Sequence, residues 1–154
     1  MRKILSKVNC AYISGLLDGD GAIMACIEKH AEKRFGFRIR ICIKISQNNF
    51  KILKWCKSVT GLGNVRFVKN DEYEWITKNQ EDIKVILQLL IPYLKVKNRQ
   101  GKLALEILNT EVKTIKNLLK NAELADTLSR LNVRSQGRRK NFMVMIQDSI
   151  SPND

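Results

Sequence analysis

A chain of 154 residues with 44% hydrophobic content is long enough to bury a core as one domain, without disulfides or metal to staple it. Lys and Arg number 28 against 15 Asp and Glu, a formal charge of +13, which makes nucleic acid the leading partner. No apolar run approaches the roughly 18–20 residues of a spanning helix, and the N-terminus has no signal-peptide core, so a soluble, intracellular protein with no membrane partner is expected.

From Asn9 to Leu17 the sequence reads as a short helix, capped by Asn9 and closed by the glycines of Asp18-Gly19-Asp20-Gly21. Ala11, Gly15 and Gly19 recur every four positions and so share one helical stripe. That stripe admits a second backbone at close range, either from the domain's own core or from another copy.

After Gly21 the period becomes two. Ile23, Ala25 and Ile27 alternate with Ala22, Met24, Cys26 and Glu28, which predicts a strand. A charged loop from His30 to Gly36, holding Lys33 and Arg34, leads to a second strand. There Ile39, Ile41, Ile43 and Ile45 alternate with Arg38, Arg40, Cys42 and Lys44, so one face is apolar and the other basic. A helix over Phe50 to Thr60 ends at Gly61-Leu62-Gly63. Val65 and Phe67 against Arg66 and Val68 give a third strand, Lys69 to Asp71 a turn, and Tyr73 and Trp75 against Glu74 and Ile76 a fourth.

The remainder is mostly helical: Asp82 to Leu90, stopped by Pro92, then Gln100 to Leu108, then two amphipathic stretches reaching about Leu131. Asn132 to Asn141 carries Arg134, Ser135, Arg138, Arg139 and Lys140 without apolar anchors, before a final apolar run from Phe142 to Ile146. No segment repeats. The order of elements predicts an α+β domain with one mixed or antiparallel sheet.

Asp18 and Asp20 could direct oxygens at a hard cation such as Mg²⁺, or could form an ordinary acidic turn. Cys10, Cys26, Cys42 and Cys56 contain no C-x-x-C pair, and His30 is the only histidine, so reduced thiols are expected rather than a zinc site. The basic strand face is stronger evidence. Alternate side chains on a strand stand roughly 6.6–7 Å apart, about two base-pair steps, so a two-stranded ribbon can set arginines and lysines on base edges in the major groove.

Ile13-Ser14-Gly15-Leu16-Leu17-Asp18-Gly19-Asp20-Gly21 resembles the nine-residue motif of the LAGLIDADG homing endonucleases, with Ser14 where alanine is usual. The predicted element order is similar to the αββαββα core of that family over about residues 9–110, which implies a saddle-shaped antiparallel sheet with additional C-terminal helices. The single motif resembles the small enzymes that act as homodimers.

Carried over residue by residue, the resemblance makes Asp20 a metal ligand together with the Gly19 carbonyl. Gln47 and Lys51 become groups that order solvent at the scissile phosphate. Lys97 becomes the lysine beside that phosphate, with Lys95 as its rival. Ala11, Tyr12, Ser14, Gly15, Asp18 and Gly19 fall in the dimer interface. Met24, Cys26, Glu28, His30, Lys33, Arg34, Arg38, Arg40, Cys42, Lys44, Arg66, Val68, Glu74, Ile76, Arg134, Ser135, Arg138, Arg139 and Lys140 fall on the DNA-contacting surface. The implied cofactor is Mg²⁺, with Mn²⁺ as a substitute and Ca²⁺ supporting binding without cleavage, and no small-molecule cofactor. The implied partner is double-stranded DNA in a prokaryotic cytoplasm or an organelle. A DNA-binding regulator without catalysis and an intron RNA maturase are the alternatives on the same fold.

Overall fold

The computed structural model describes residues 5–132 and 141–150. Its elements are α1 (Lys7–Asp20), β1 (Gly21–Lys29), β2 (Phe37–Gln47), α2 (Phe50–Thr60), β3 (Asn64–Lys69), β4 (Glu72–Thr77), α3 (Gln80–Leu90), α4 (Asn98–Asn109), α5 (Ile115–Leu131) and α6 (Phe142–Ile150), with one 3-10 turn at Ile91–Tyr93. The first seven form the expected αββαββα core, and three helices follow it.

The four strands make one antiparallel sheet in the order β1-β2-β4-β3. Pairing Ile23 with Ile43, and Ile45 with Trp75, sets the apolar side chains on one face, because a period of two admits no other choice once one face is buried. Ile23, Ile41, Ile43, Ile45 and Trp75 join residues of all six helices in one buried cluster, from Ile13 and Leu17 on α1 to Phe142 and Ile146 on α6. Arg38, Arg40, Cys42, Lys44, Arg66, Glu74 and Ile76 contribute nothing to that cluster. Asn70 and Asp71 both take positive φ in the β3–β4 turn, as a two-residue hairpin of matching twist requires.

Three local expectations change. Ser6 rather than Asn9 caps α1, its Oγ accepting from the Asn9 N–H at 3.1 Å. The helix also runs through Gly15 and Gly19 to Asp20, and the chain turns only at Gly21. A Cβ on Gly21 would stand 2.7 Å from the Lys44 carbonyl oxygen and 2.6 Å from Leu17 Cδ1, so the backbone there passes against β2. The two stretches expected before Leu131 are one helix of 17 residues, begun by a capping box between Thr114 and Asn117.

The first N–H groups of α6 donate to Asp126 on α5, Phe142 to Oδ1 at 2.6 Å and Met143 to Oδ2 at 3.2 Å. Arg134, Ser135, Arg138, Arg139 and Lys140 lie outside the described residues. No described helix is long and apolar enough to cross a membrane.

Candidate active cleft and nucleic-acid face

Three sides of α1 do three things. Ile13 and Leu17 are fully buried in the core. Ser14, also fully buried, donates from Oγ to the Leu90 carbonyl at 3.1 Å. Asp18, one turn further along that side, accepts from the backbone N–H groups of Lys95 at 2.8 Å and Lys97 at 2.9 Å. Ser14 and Asp18, both expected in the interface between subunits, bond to the chain's own connection between α3 and α4. Residues four apart share a stripe, and theirs differs from the stripe of Ala11, Gly15 and Gly19.

That second stripe is exposed, with nothing within 4 Å of where a Cβ would stand at Gly15 or Gly19. Packing of these small residues against the domain's own core is therefore excluded. Tyr12 is exposed beside them, its ring edge-on to Trp55 at 5.3 Å.

Asp20 ends α1, exposed at the lip of an open cleft of about 730 Å³. Gln47, at the end of β2, donates from Nε2 to Asp20 Oδ2 at 2.5 Å. Lys97, buried, lines the same cleft with Gly19, Asp20, Lys44 and Ser46, whereas the exposed Lys95 stays outside it. Lys51 stands exposed on the first turn of α2, also outside the cleft lining.

Both motif carboxylates occupy the last turn of a helix that has no basic residue there. A helix dipole disfavours anions at this end, so the arrangement invites compensating donors or cations. Asp18 receives backbone N–H groups; Asp20 receives only the neutral Gln47 amide among the bonds described. Sequence reasoning missed Gln100 and Asn132, which line the cleft from α4 and just beyond α5. Asn132 Nδ2 donates to the Ile23 carbonyl at 2.5 Å. Such contacts, 109 residues apart, leave no local signal.

The charged sheet face is more internally paired than its alternation suggests. Glu74 is buried, and Arg66 donates to its Oε1 from Nε at 2.5 Å with Nη2 on the same oxygen, while Lys44 Nζ lies 3.9 Å from Oε2. Arg40 donates from Nη2 to the Lys78 carbonyl at 2.9 Å and lies 3.6 Å from Glu28. Cys42, Glu74 and Ile76 are among the residues expected on the DNA-contacting surface. All three are buried, and Glu74 is held by two cations.

Cys26, Glu28, Arg66, Val68, Lys33 and Arg34 are exposed, while Met24, His30, Arg38, Arg40 and Lys44 are half-buried. Arg34 also anchors the β1–β2 loop, donating to the Lys113 carbonyl at 3.2 Å. Burial pushes the Cys42 thiol up, with Cys26 adding to the effect, and burial pushes Cys56 up to about 11. These thiols are protonated at neutral pH and are poor metal ligands.

Comparison with known proteins places this geometry in a group. A family model described as LAGLIDADG endonuclease matches residues 13–109. The chain is 27% identical to DNA endonuclease I-CvuI of Chlorella vulgaris over 143 residues, covering 89% of this chain and 86% of that protein. It is 27% identical to DNA endonuclease I-CreI of Chlamydomonas reinhardtii over 99 residues, 63% of this chain and 60% of that one. The fold superposes on I-CvuI in complex with its target in the presence of Ca with a TM-score of 0.83 at 25% identity, covering 92% of each chain. The archaeal intron-encoded I-Vdi141I, complexed with DNA, gives 0.80 at 20% identity over 92% of this chain and 96% of that one.

Proposed function

The chain belongs to the LAGLIDADG endonuclease family, and from that premise we propose that it is a site-specific DNA endonuclease which acts as a homodimer with divalent metal, Mg²⁺ in the first place. One observation carries this reading: Asp20 and Lys97, far apart in sequence, line one cleft, with Gln47 bonded to Asp20, beside a sheet face rich in arginine and lysine. The relatives named above are DNA endonucleases.

The oxygen donors at the end of α1 suit a hard cation. Asp20 offers a carboxylate, and the Gly19 carbonyl is among the last four of the helix, which have no partner within it. Among the described residues no thiol or imidazole lines the cleft, which favours Mg²⁺, Mn²⁺ or Ca²⁺ over zinc. When bound, such a cation supplies Lewis acidity toward a phosphate oxygen and lowers the pKa of bound water. Gln47 orients Asp20 and the solvent near it, and Lys97 presents an ammonium to the scissile phosphate. In the hydrolysis, water forms the new bond to phosphorus and the bond to the 3′-oxygen breaks.

One carboxylate is a poor site by itself. The exposed stripe of Ala11, Tyr12, Gly15 and Gly19 lets two copies of α1 pack closely, which brings two copies of Asp20 near a twofold axis. Like charges so placed favour a cation between them. Each sheet then reads one half-site: strands of roughly seven usable residues at about 3.3 Å each span about seven base pairs, so a dimer with its centre covers on the order of 20. The family resemblance implies cleavage across the minor groove that leaves 3′ overhangs.

The test is incubation with a randomised duplex library in Mg²⁺ and, separately, in Ca²⁺. The parent is expected to select and cut a long, nearly palindromic site in Mg²⁺ and to bind it uncut in Ca²⁺. Asp20→Asn is expected to bind that site and not cut it. Cleavage by this variant within about tenfold of the parent in single turnover removes Asp20 from the chemistry.

A further inference from the structure

Residues 94–97 lie between the 3-10 turn that ends at Tyr93 and the start of α4 at Asn98, outside any helix or strand. They are nonetheless held at both ends of one contact with α1. Asp18 uses its two carboxylate oxygens separately, Oδ2 on the Lys95 N–H and Oδ1 on the Lys97 N–H. The Lys97 ammonium turns back and donates to the Asp18 carbonyl at 2.5 Å. One turn earlier, Ser14 holds the start of the connection at Leu90.

We infer that Asp18 is a positioning residue that sets Lys97 in the cleft beside Asp20; this rests on the proposed reading of Lys97 as the group facing the scissile phosphate. An aspartate at the C-terminal end of a helix works against the dipole, and two charge-assisted bonds to backbone N–H groups offset that cost. The geometry also needs a carboxylate. An asparagine turns one acceptor into an NH₂ facing an N–H, and a glutamate keeps both acceptors but carries them one methylene further out. Displacement of a reacting group by about 1 Å can cost a hundredfold in rate.

The experiment compares Asp18→Asn, Asp18→Glu, Lys97→Ala and both double variants with the parent on the site selected from the library. It reads three quantities: single-turnover cleavage in Mg²⁺, affinity in Ca²⁺, and hydrogen exchange of the Lys95 and Lys97 amides in the DNA-free protein. Asp18→Asn should speed exchange at both amides and slow cleavage about tenfold to a hundredfold with affinity unchanged. It should add nothing once Lys97 is alanine. Asp18→Glu, which keeps the charge and is the safer variant for folding, should show the same non-additive loss to a smaller degree.

Losses that multiply with Lys97→Ala overturn the inference, as do unchanged exchange at the two amides or full activity of Asp18→Glu. Failure of the underlying reading looks different: if Lys97→Ala cuts as fast as the parent, Lys97 has no role in cleavage and the inference falls with it. If the parent cuts no library member, the nuclease reading fails first.

Discussion

Glu74 is a carboxylate at 4% exposure on the face that should meet an anion. Arg66 and Lys44 flank it, with side chains 55% and 37% exposed. Losing the charge would leave both cations within reach of water, so the fold should survive. Glu74→Gln is expected to cost about 1–2 kcal/mol in stability while releasing positive charge toward DNA. Affinity for unrelated duplexes at low salt should rise, and the dependence of log affinity on log salt should steepen by about one ion per subunit. An unchanged salt slope in titrations at several salt concentrations shows that Arg66 and Lys44 stay turned away from phosphate without Glu74.

At the scale of elements, α1 serves three surfaces at once, and its free stripe gives the sharpest expectation. Gly15 has open space where a side chain would be, so within one chain Gly15→Leu adds an exposed leucine and little else. Against a second α1 the same leucine holds two backbones apart. The variant should therefore fold with nearly the parent's melting temperature but sediment as a monomer and lose cleavage. A dimer with full activity would place the interface elsewhere.

The sheet was legible in the sequence because side chains alternate across it, and a run such as Ile39 to Ile45 can fit only one way round. The resemblance singled out Asp20 and Gln47, which bond to each other. The intrachain bonds of Ser14 and Asp18 were not legible because their partners, Leu90 and Lys97, stand 76 and 79 residues away, and no local pattern distinguishes a helical stripe that meets its own domain from one that meets a copy. The single helix α5 was missed for a local reason, the capping box of Thr114 and Asn117.

Over the whole molecule, a formal charge of +13 suits a polyanionic partner but does not say how one sequence is told from another. Contacts to phosphate cannot supply that distinction, because every duplex offers phosphate equally. Arg40 is different. The Lys78 carbonyl and Glu28 each engage one of its terminal nitrogens, and its side chain remains 28% exposed. A guanidinium has five N–H groups, so a fork fixed in direction keeps donors to spare for a base edge, and its stem stands on a strand whose other face is core. Arg138 lies in the basic stretch outside the described residues, between Gly137 and Arg139 in the sequence. Arg40→Ala should then cost about 1–3 kcal/mol on the selected site and relax base preference at one position in each half-site. Arg138→Ala should weaken all duplexes alike and flatten the salt dependence by about one ion per subunit. Selections on half-site libraries at two salt concentrations separate the two effects: if Arg40→Ala lowers affinity evenly and leaves the base profile intact, its bonds to Lys78 and Glu28 hold the sheet together without presenting it, and the reading of sequence must rest on other side chains of that face, with the exposed Arg66 and half-buried Arg38 the first to examine.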